Sequence, residues 1–246
     1  MIDFNTFRYT HEEVFARRNE VARRLTANSS HIKSSAIDRL STSDLKLLWV
    51  LYDEIFFKHQ LAENYKGKIK FSLSTRLIKT AGKTLCPKNI AQLKPEEVVL
   101  EIRIGTEFFF KYDEITSEKS VAGITTSHAL EALQLVFEHE LCHVIEFMLF
   151  KTSNCSQPRF KTLAHNLFGH TESTHQLPTP RKIAQEKYGL KIGDQVSFNF
   201  ENQRLEGTLY KINKRATIMV KDKKGTYADQ QGNRYAKYYV PLSFLE

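Results

Sequence analysis

Residues 127–150 read SHALEALQLVFEHELCHVIEFMLF. Leu130, Leu133, Val136, Phe137, Leu141, Val144, Ile145 and Met148 recur at steps of three and four, the period of one helical face. Thr126 or Ser127 offers a side-chain oxygen to cap the start. The stretch therefore predicts a long amphipathic helix at the centre of the protein. Glu131, Glu138, His139, Glu140, His143 and Glu146 interrupt the apolar run. A membrane span would carry these groups into hydrocarbon at a cost of kcal/mol each, so that reading is rejected.

Within this helix stands His139-Glu140-Leu141-Cys142-His143, an HExxH pattern. At i and i+4 both imidazoles leave the same face, close enough to share a Zn²⁺ ion, and Glu140 is placed to take a proton from water beside it. Two histidines and a glutamate on a purely structural helix would instead demand several buried hydrogen-bond partners. Cys142 lies off the metal face and reads as core. Glu146, one turn beyond His143, is either a carboxylate that orients a ligand or a solvated helix-end charge.

Working outward, the 246 residues carry 41% apolar and 26% charged side chains, enough apolar material for one or two cooperative domains. Cys86, Cys142 and Cys155 are too few for a disulfide framework, which fits a reducing compartment. The first residues lack a basic, then apolar leader, so the expected location is cytoplasmic: at the nucleoid in a bacterium, nuclear in a eukaryote. The net charge of +8 favours an anionic partner.

Val14, Phe15, Val21, Ala22 and Leu25, with Arg17, Arg18, Arg23 and Arg24 among them, predict a basic amphipathic helix from Thr10 to Thr26. A second helix, capped near Ser41, runs to about Glu63. Lys68–Leu77 and Val98–Ile104 read as two paired strands bracketing an Ala81-Gly82-Lys83 turn. A short helix spans about Pro158–Phe168 with Gly169 at its end, and Leu177-Pro-Thr-Pro-Arg-Lys reads as a stiff exposed linker. Beyond Lys191, alternating Val196, Phe198 and Phe200 and further β-rich runs predict a small barrel. The division is a basic helical segment over 1–43, a metal-binding domain over 44–176, a linker over 177–190 and the β-module over 191–246.

Several of these pieces resemble, in order, the SprT-like zinc metalloprotease family. They are Leu51-Tyr-Asp-Glu-Ile-Phe-Phe57, Phe71–Arg76 with Thr80-Ala81-Gly82, Glu101–Ile104, the HELCH helix, Arg159-Phe160-Lys161, and Phe168-Gly169-His170-Thr171 with His175. The resemblance implies an α+β, zincin-like domain with a central HExxH helix and a small sheet. It also implies zinc-dependent peptide hydrolysis with Glu140 as the catalytic base. In the family a third zinc-binding His opens an H-G-x-x-[FW] motif, but Ser156 and Gln157 stand where its His and Gly belong. Cys155, adjacent to that place, is the local candidate for the third ligand. His170 is the other, and it requires the intervening helix to fold back, since ~10 residues at ~1.5 Å each would carry it ~15 Å away. His165 reads as a surface residue. His175 matches a family His outside the ligand set.

The β-module holds ten Lys/Arg against six Asp/Glu. Lys211, Lys214, Arg215, Lys221, Lys223 and Lys224 are its candidate nucleic-acid contacts, and interleaved tyrosines can stack bases. It loosely resembles SH3-like or KOW-type barrels. Because SprT-like proteins are associated with cleaving DNA-bound proteins, the resemblance implies a DNA-repair protease whose barrel delivers it to protein substrates on DNA. The alternative is a catalytically silent nucleic-acid-binding protein that keeps the fold without the third ligand. A third reading is a basic adaptor for an acidic protein.

Overall fold

The computed structural model describes residue 4 and residues 7–246, and the chain divides into two compact units: 1–112 with 117–177, and 113–116 with 178–246. It is a mixed α+β protein with seven α-helices among the described residues. None of its described helices is long and apolar enough to cross a membrane.

The first unit opens with α1 (His11–Asn28), started by a capping box between Thr10 and Glu13. Its arginines face carboxylates of the same unit. Arg18 pairs with Glu138, Arg24 with Glu54 and Arg23 with Glu20, while Arg17 donates to the Ile55 carbonyl. Val21, Leu25, Ile32, Ile37 and Leu40 belong to the same buried core as the central helix.

Helix α2 (Thr42–Phe57) starts at a Ser41–Asp44 capping box and stops sooner than the sequence suggests. Lys58 and His59 both take positive φ. The buried Asp53 carboxylate then accepts the Leu61 and Ala62 amides at 2.9 and 3.1 Å, so a separate short helix, α3 (Gln60–Asn64), begins there. The capture of those free amides breaks one expected helix into two.

Strands β1 (Lys68–Ser74), β2 (Gly82–Leu85) and β3 (Val99–Gly105) form one sheet in the order β1-β3-β2. Leu100, Ile102 and Ile104 of the middle strand are fully buried at period two. The pairing of β1 with β3 is present and parallel, whereas the Ala81-Gly82-Lys83 turn is a misreading: Gly82 opens an edge strand antiparallel to β3. A four-residue strand reading Gly-Lys-Thr-Leu carries too little alternation to be seen in sequence.

After α4 (Glu107–Phe110) and the hairpin β4 (Lys119–Val121) and β5 (Ile124–Thr126) comes α5 (Ala129–Phe150). Its cap is His128, whose Nδ1 accepts the Glu131 amide at 3.1 Å, rather than Thr126 or Ser127. Apart from a few positions, α5 is buried along its first five turns, which accounts for its apolar sequence on more than one face. Helix α6 (Pro158–Phe168) ends at Gly169 with φ +70°, and the following segment runs back along β4 through a bridge between Val121 and His175.

In the second unit the expected linker is a helix, α7 (Pro180–Tyr188). Thr179 caps it and Pro180 occupies its first turn, so the Thr-Pro pair is a helix start. Ala184 lies in the core of a five-stranded antiparallel sheet. Its strands are β6 (Gln195–Phe200), β7 (Gln203–Ile212), β8 (Ala216–Lys221), β9 (Tyr227–Ala228) and β10 (Arg234–Val240), in the order β6-β7-β8-β10-β9. On β6, Ser197 exchanges two backbone hydrogen bonds with Glu246, at 2.9 and 3.0 Å.

Candidate metal centre

The α-helical repeat places His139 and His143 one turn apart on α5, with ring centroids 4.9 Å apart. The loop after α5 returns over its last turns and brings in Cys155. A ligand atom from each of His139, His143 and Cys155 lies within 4.8 Å of the other two, and all three side chains are half-buried. They line a cleft of about 300 Å³ with Thr80–Thr84, Val121, Ala122 and Ser173–His175. Two imidazoles and a thiol are a borderline-soft donor set that suits Zn²⁺, and three protein donors beside an open cleft is the pattern of a catalytic zinc site.

Burial drives the His139 ring down to about 3, helped by the neighbouring His143, and drives His143 down to about 4. Both rings are therefore neutral near pH 7, the form that ligates a metal. Burial raises the Cys155 thiol above its ordinary value, so it keeps its proton until a cation displaces it. Phe160 packs on both rings at 4.9 and 4.5 Å between centroids and restricts their rotation.

A hydrogen-bond chain fixes the His143 tautomer. Glu146 is fully buried, and its carboxylate accepts from Arg159 Nε at 2.6 Å, Ser153 Oγ at 2.6 Å and the Asn154 amide at 3.2 Å. Ser153 has one hydroxyl proton and gives it to Glu146. Its Oγ, 2.6 Å from His143 Nδ1, therefore accepts the ring N–H and leaves Nε2 as the free lone pair. The same carboxylate anchors the 153–154 backbone, and Ser173 Oγ holds the Cys155 carbonyl at 2.8 Å. Glu146 is thus an orienting carboxylate, not a solvated helix-end charge.

Glu140 sits beneath the edge strand β2. Thr84 Oγ1 donates to its Oε2 at 2.8 Å, and the Thr84 backbone also holds the carboxylate. Burial raises this carboxyl to about 7 against the opposing effect of the Thr84 bonds. Gly82 is required here by close approach: a Cβ on it would lie 2.6 Å from Glu140 Oε1 and 2.8 Å from Val136 Cγ1.

On the other side of α5, fully buried Glu138 joins four elements of the first unit. Arg18 donates to both its oxygens at 2.8 and 2.7 Å, Tyr52 Oη at 2.8 Å and His170 Nε2 at 2.9 Å. Burial alone would raise the Glu138 carboxyl, but Arg18 and His170 hold it down to about 2.

His170 is therefore not a ligand; α6 and Gly169 turn it to the face of α5 away from the cleft. Ser156 is exposed, and its hydroxyl is engaged by Asn154 Oδ1 at 2.8 Å. Cys142 is buried in the core and His165 is exposed, as read. His175 lies at the cleft wall with Nε2 3.1 Å from the Lys79 carbonyl. Lys211, Lys214, Arg215, Lys221, Lys223 and Lys224 are all exposed on the second unit. Sequence reasoning missed Ser153, Thr84 and Arg18. The first two come from a loop and a short edge strand with no local signal; a lone Arg on the apolar stripe of α1 was a signal that a buried carboxylate had to meet it.

No protein-family model matches the chain, and no curated protein or solved structure matches it significantly.

Proposed function

We propose that the first unit is a zincin-like, zinc-dependent endopeptidase of SprT-like type. In this reading the second unit is a small SH3-like barrel that binds nucleic acid and brings the enzyme to DNA-associated protein substrates. The observation that carries this is the convergence of His139, His143 and Cys155 with Glu140 in one cleft. The three converging side chains would hold the ion, with Cys155 replacing the missing histidine. Bound Zn²⁺ supplies a Lewis acid for a peptide carbonyl and acidifies water.

The chain's own groups supply the rest. Glu140 Oε1 accepts a proton from a water in the cleft and returns it to the departing amine nitrogen, with Oε2 held by Thr84. Ser153 and Glu146 keep His143 Nε2 unprotonated, and Phe160 excludes water from one side of both imidazoles. The exposed basic residues of the second unit, with a charge surplus over residues 191–246, support phosphate binding.

The test combines metal analysis of the purified full chain with cleavage of a DNA-bound protein. Stoichiometric zinc, cleavage stimulated by DNA, and loss of cleavage but not of zinc in Glu140→Gln are expected. DNA binding with neither zinc nor cleavage would replace this reading with a silent nucleic-acid-binding protein, the outcome that the Ser156 substitution favours.

A further inference from the structure

In the second unit the two faces of β10 differ. Tyr238 and Val240 turn to the core, where Tyr238 packs on Phe198 and Phe200 with centroids 5.4 and 5.2 Å away. Tyr235, Lys237 and Tyr239 alternate with them and occupy the other face. Tyr239 is 62% exposed, as is Tyr210, and Tyr227 is 43% exposed. Tyr210 is the extra residue of a β-bulge between Leu209 and Lys211 of β7, a device that re-aims a side chain out of the ladder. Lys237 sits among these rings: its Nζ is 3.7 Å from the Tyr227 centroid, and its charge also feels Tyr239 and Tyr210.

In the order β7-β8-β10-β9 the three rings extend over three strand spacings, about 14 Å across the sheet. Tyr227, opposite Tyr235, lies four residues, about 13 Å, along the strands from the level of Tyr239 and Tyr210, for a diagonal of about 19 Å. Around them stand Lys211, next to Tyr210, and Lys221, opposite Tyr235 in the β8–β10 register. An open hollow beside β10 is lined by Lys221, Lys223 and Arg234, with Asp222 also in its wall. Rings left in water next to cations have two uses for one ligand: a planar base to cover them and a phosphate to neutralise the charge.

We propose that this face binds single-stranded nucleic acid, with bases stacked on Tyr210, Tyr227 and Tyr239 and phosphates held by Lys211, Lys221 and Lys237. The proposal rests on the reading of the second unit as a nucleic-acid module and adds the strand state and the residues that recognise it. A duplex presents phosphates to the lysines but keeps its bases stacked on one another, so it gains nothing from the rings. At ~3.4 Å per stacked nucleotide the diagonal fits about five to six nucleotides, within the range for small β-barrel modules. An acidic peptide would satisfy the lysines and leave the rings in water.

The experiment is fluorescence anisotropy with the full chain, using labelled 12-mers of oligothymidylate and oligouridylate and a hairpin duplex of equal charge. Tyr210→Leu and Tyr239→Leu should each weaken binding of both single strands about 5- to 100-fold and leave duplex binding within about twofold. Tyr239→Phe, which keeps the ring, should retain binding. A deoxy or ribo preference identifies which strand the face takes. Paired Lys211→Gln and Lys221→Gln changes should weaken single strand and duplex together and flatten the salt dependence. Leucine variants that bind single strands normally, while the lysine variants do not, would overturn the stacking proposal and leave the basic module standing. Absence of binding to any oligonucleotide would overturn both. Polyglutamate bound as tightly as oligothymidylate would point to an acidic protein instead.

Discussion

Arg18→Met tests how the central helix is held. The substitution keeps most of the side-chain volume and removes the bidentate partner of a carboxylate with no solvent exposure. Tyr52 and His170 remain, but no full positive charge faces Glu138 on that side. Removing one member of a buried pair costs about 3–5 kcal/mol, because the remaining charge is left desolvated. The carboxyl gives a similar figure: a move from 4.5 to about 2 represents about 3 kcal/mol of preference for the charged form.

For a unit of this size the expected fall in unfolding midpoint is about 10 °C. Trp49 is the single tryptophan and packs against Phe71 in the first unit, so its fluorescence reports that unit alone. The pH dependence follows from the sign. Because Glu138 is depressed in the folded protein, its contribution is complete above pH 4.5 and is lost as pH falls toward 2. The deficit of Arg18→Met should therefore be largest at pH 7 and shrink by pH 3. Arg23→Met, which breaks only an exposed pair with Glu20, should leave the midpoint unchanged. A deficit under about 1 kcal/mol at pH 7, or one that grows on acidification, would refute the argument.

Three further outcomes concern the cleft. Zinc binding should release a proton from Cys155, whose thiol burial keeps protonated, so calorimetry in buffers of different ionisation enthalpy should show proton release that rises in affinity with pH and disappears in Cys155→Ser. Ser153→Ala should free the His143 ring and weaken zinc binding about 10- to 100-fold in a competition assay with a chelating dye, while Tm changes little. Gly82→Ala should press on Glu140 Oε1 and lower kcat about 100-fold at unchanged zinc content; full activity would show that the strand yields.

What could be read in the sequence was what repeats locally. The period of Leu130 to Met148 marked α5, and the HExxH spacing put His139 and His143 on one face without any knowledge of the remainder. Cys155 lies beside Ser156, where the resemblance expects a histidine, and the structure brings its sulfur within 4.8 Å of ligand atoms of both imidazoles. His170, the alternative that required α6 to fold back, regains α5 on the side of Glu138 after the positive-φ Gly169, and a count of residues along α6 does not tell which side that is. The capping carboxylate of Asp53, the edge strand over Glu140 and the Ser153 relay are made by residues far apart in sequence or isolated in loops, where periodicity carries no information. The helix at Pro180 was missed for a different reason: prolines were taken as stiffness when one of them followed an N-cap.

The partnership of Arg18 and Glu138 has a consequence for how the protein is made. The two residues are 120 positions apart. During synthesis the guanidinium leaves the ribosome long before its carboxylate exists, so the first helix cannot bury that side until the histidine-bearing segment has emerged. The helix that carries His139 and His143 and the beginning of the chain must then dock together. A polypeptide interrupted before that step has no assembled cleft, so whatever binds there must wait until the first unit has been synthesised through its central helix.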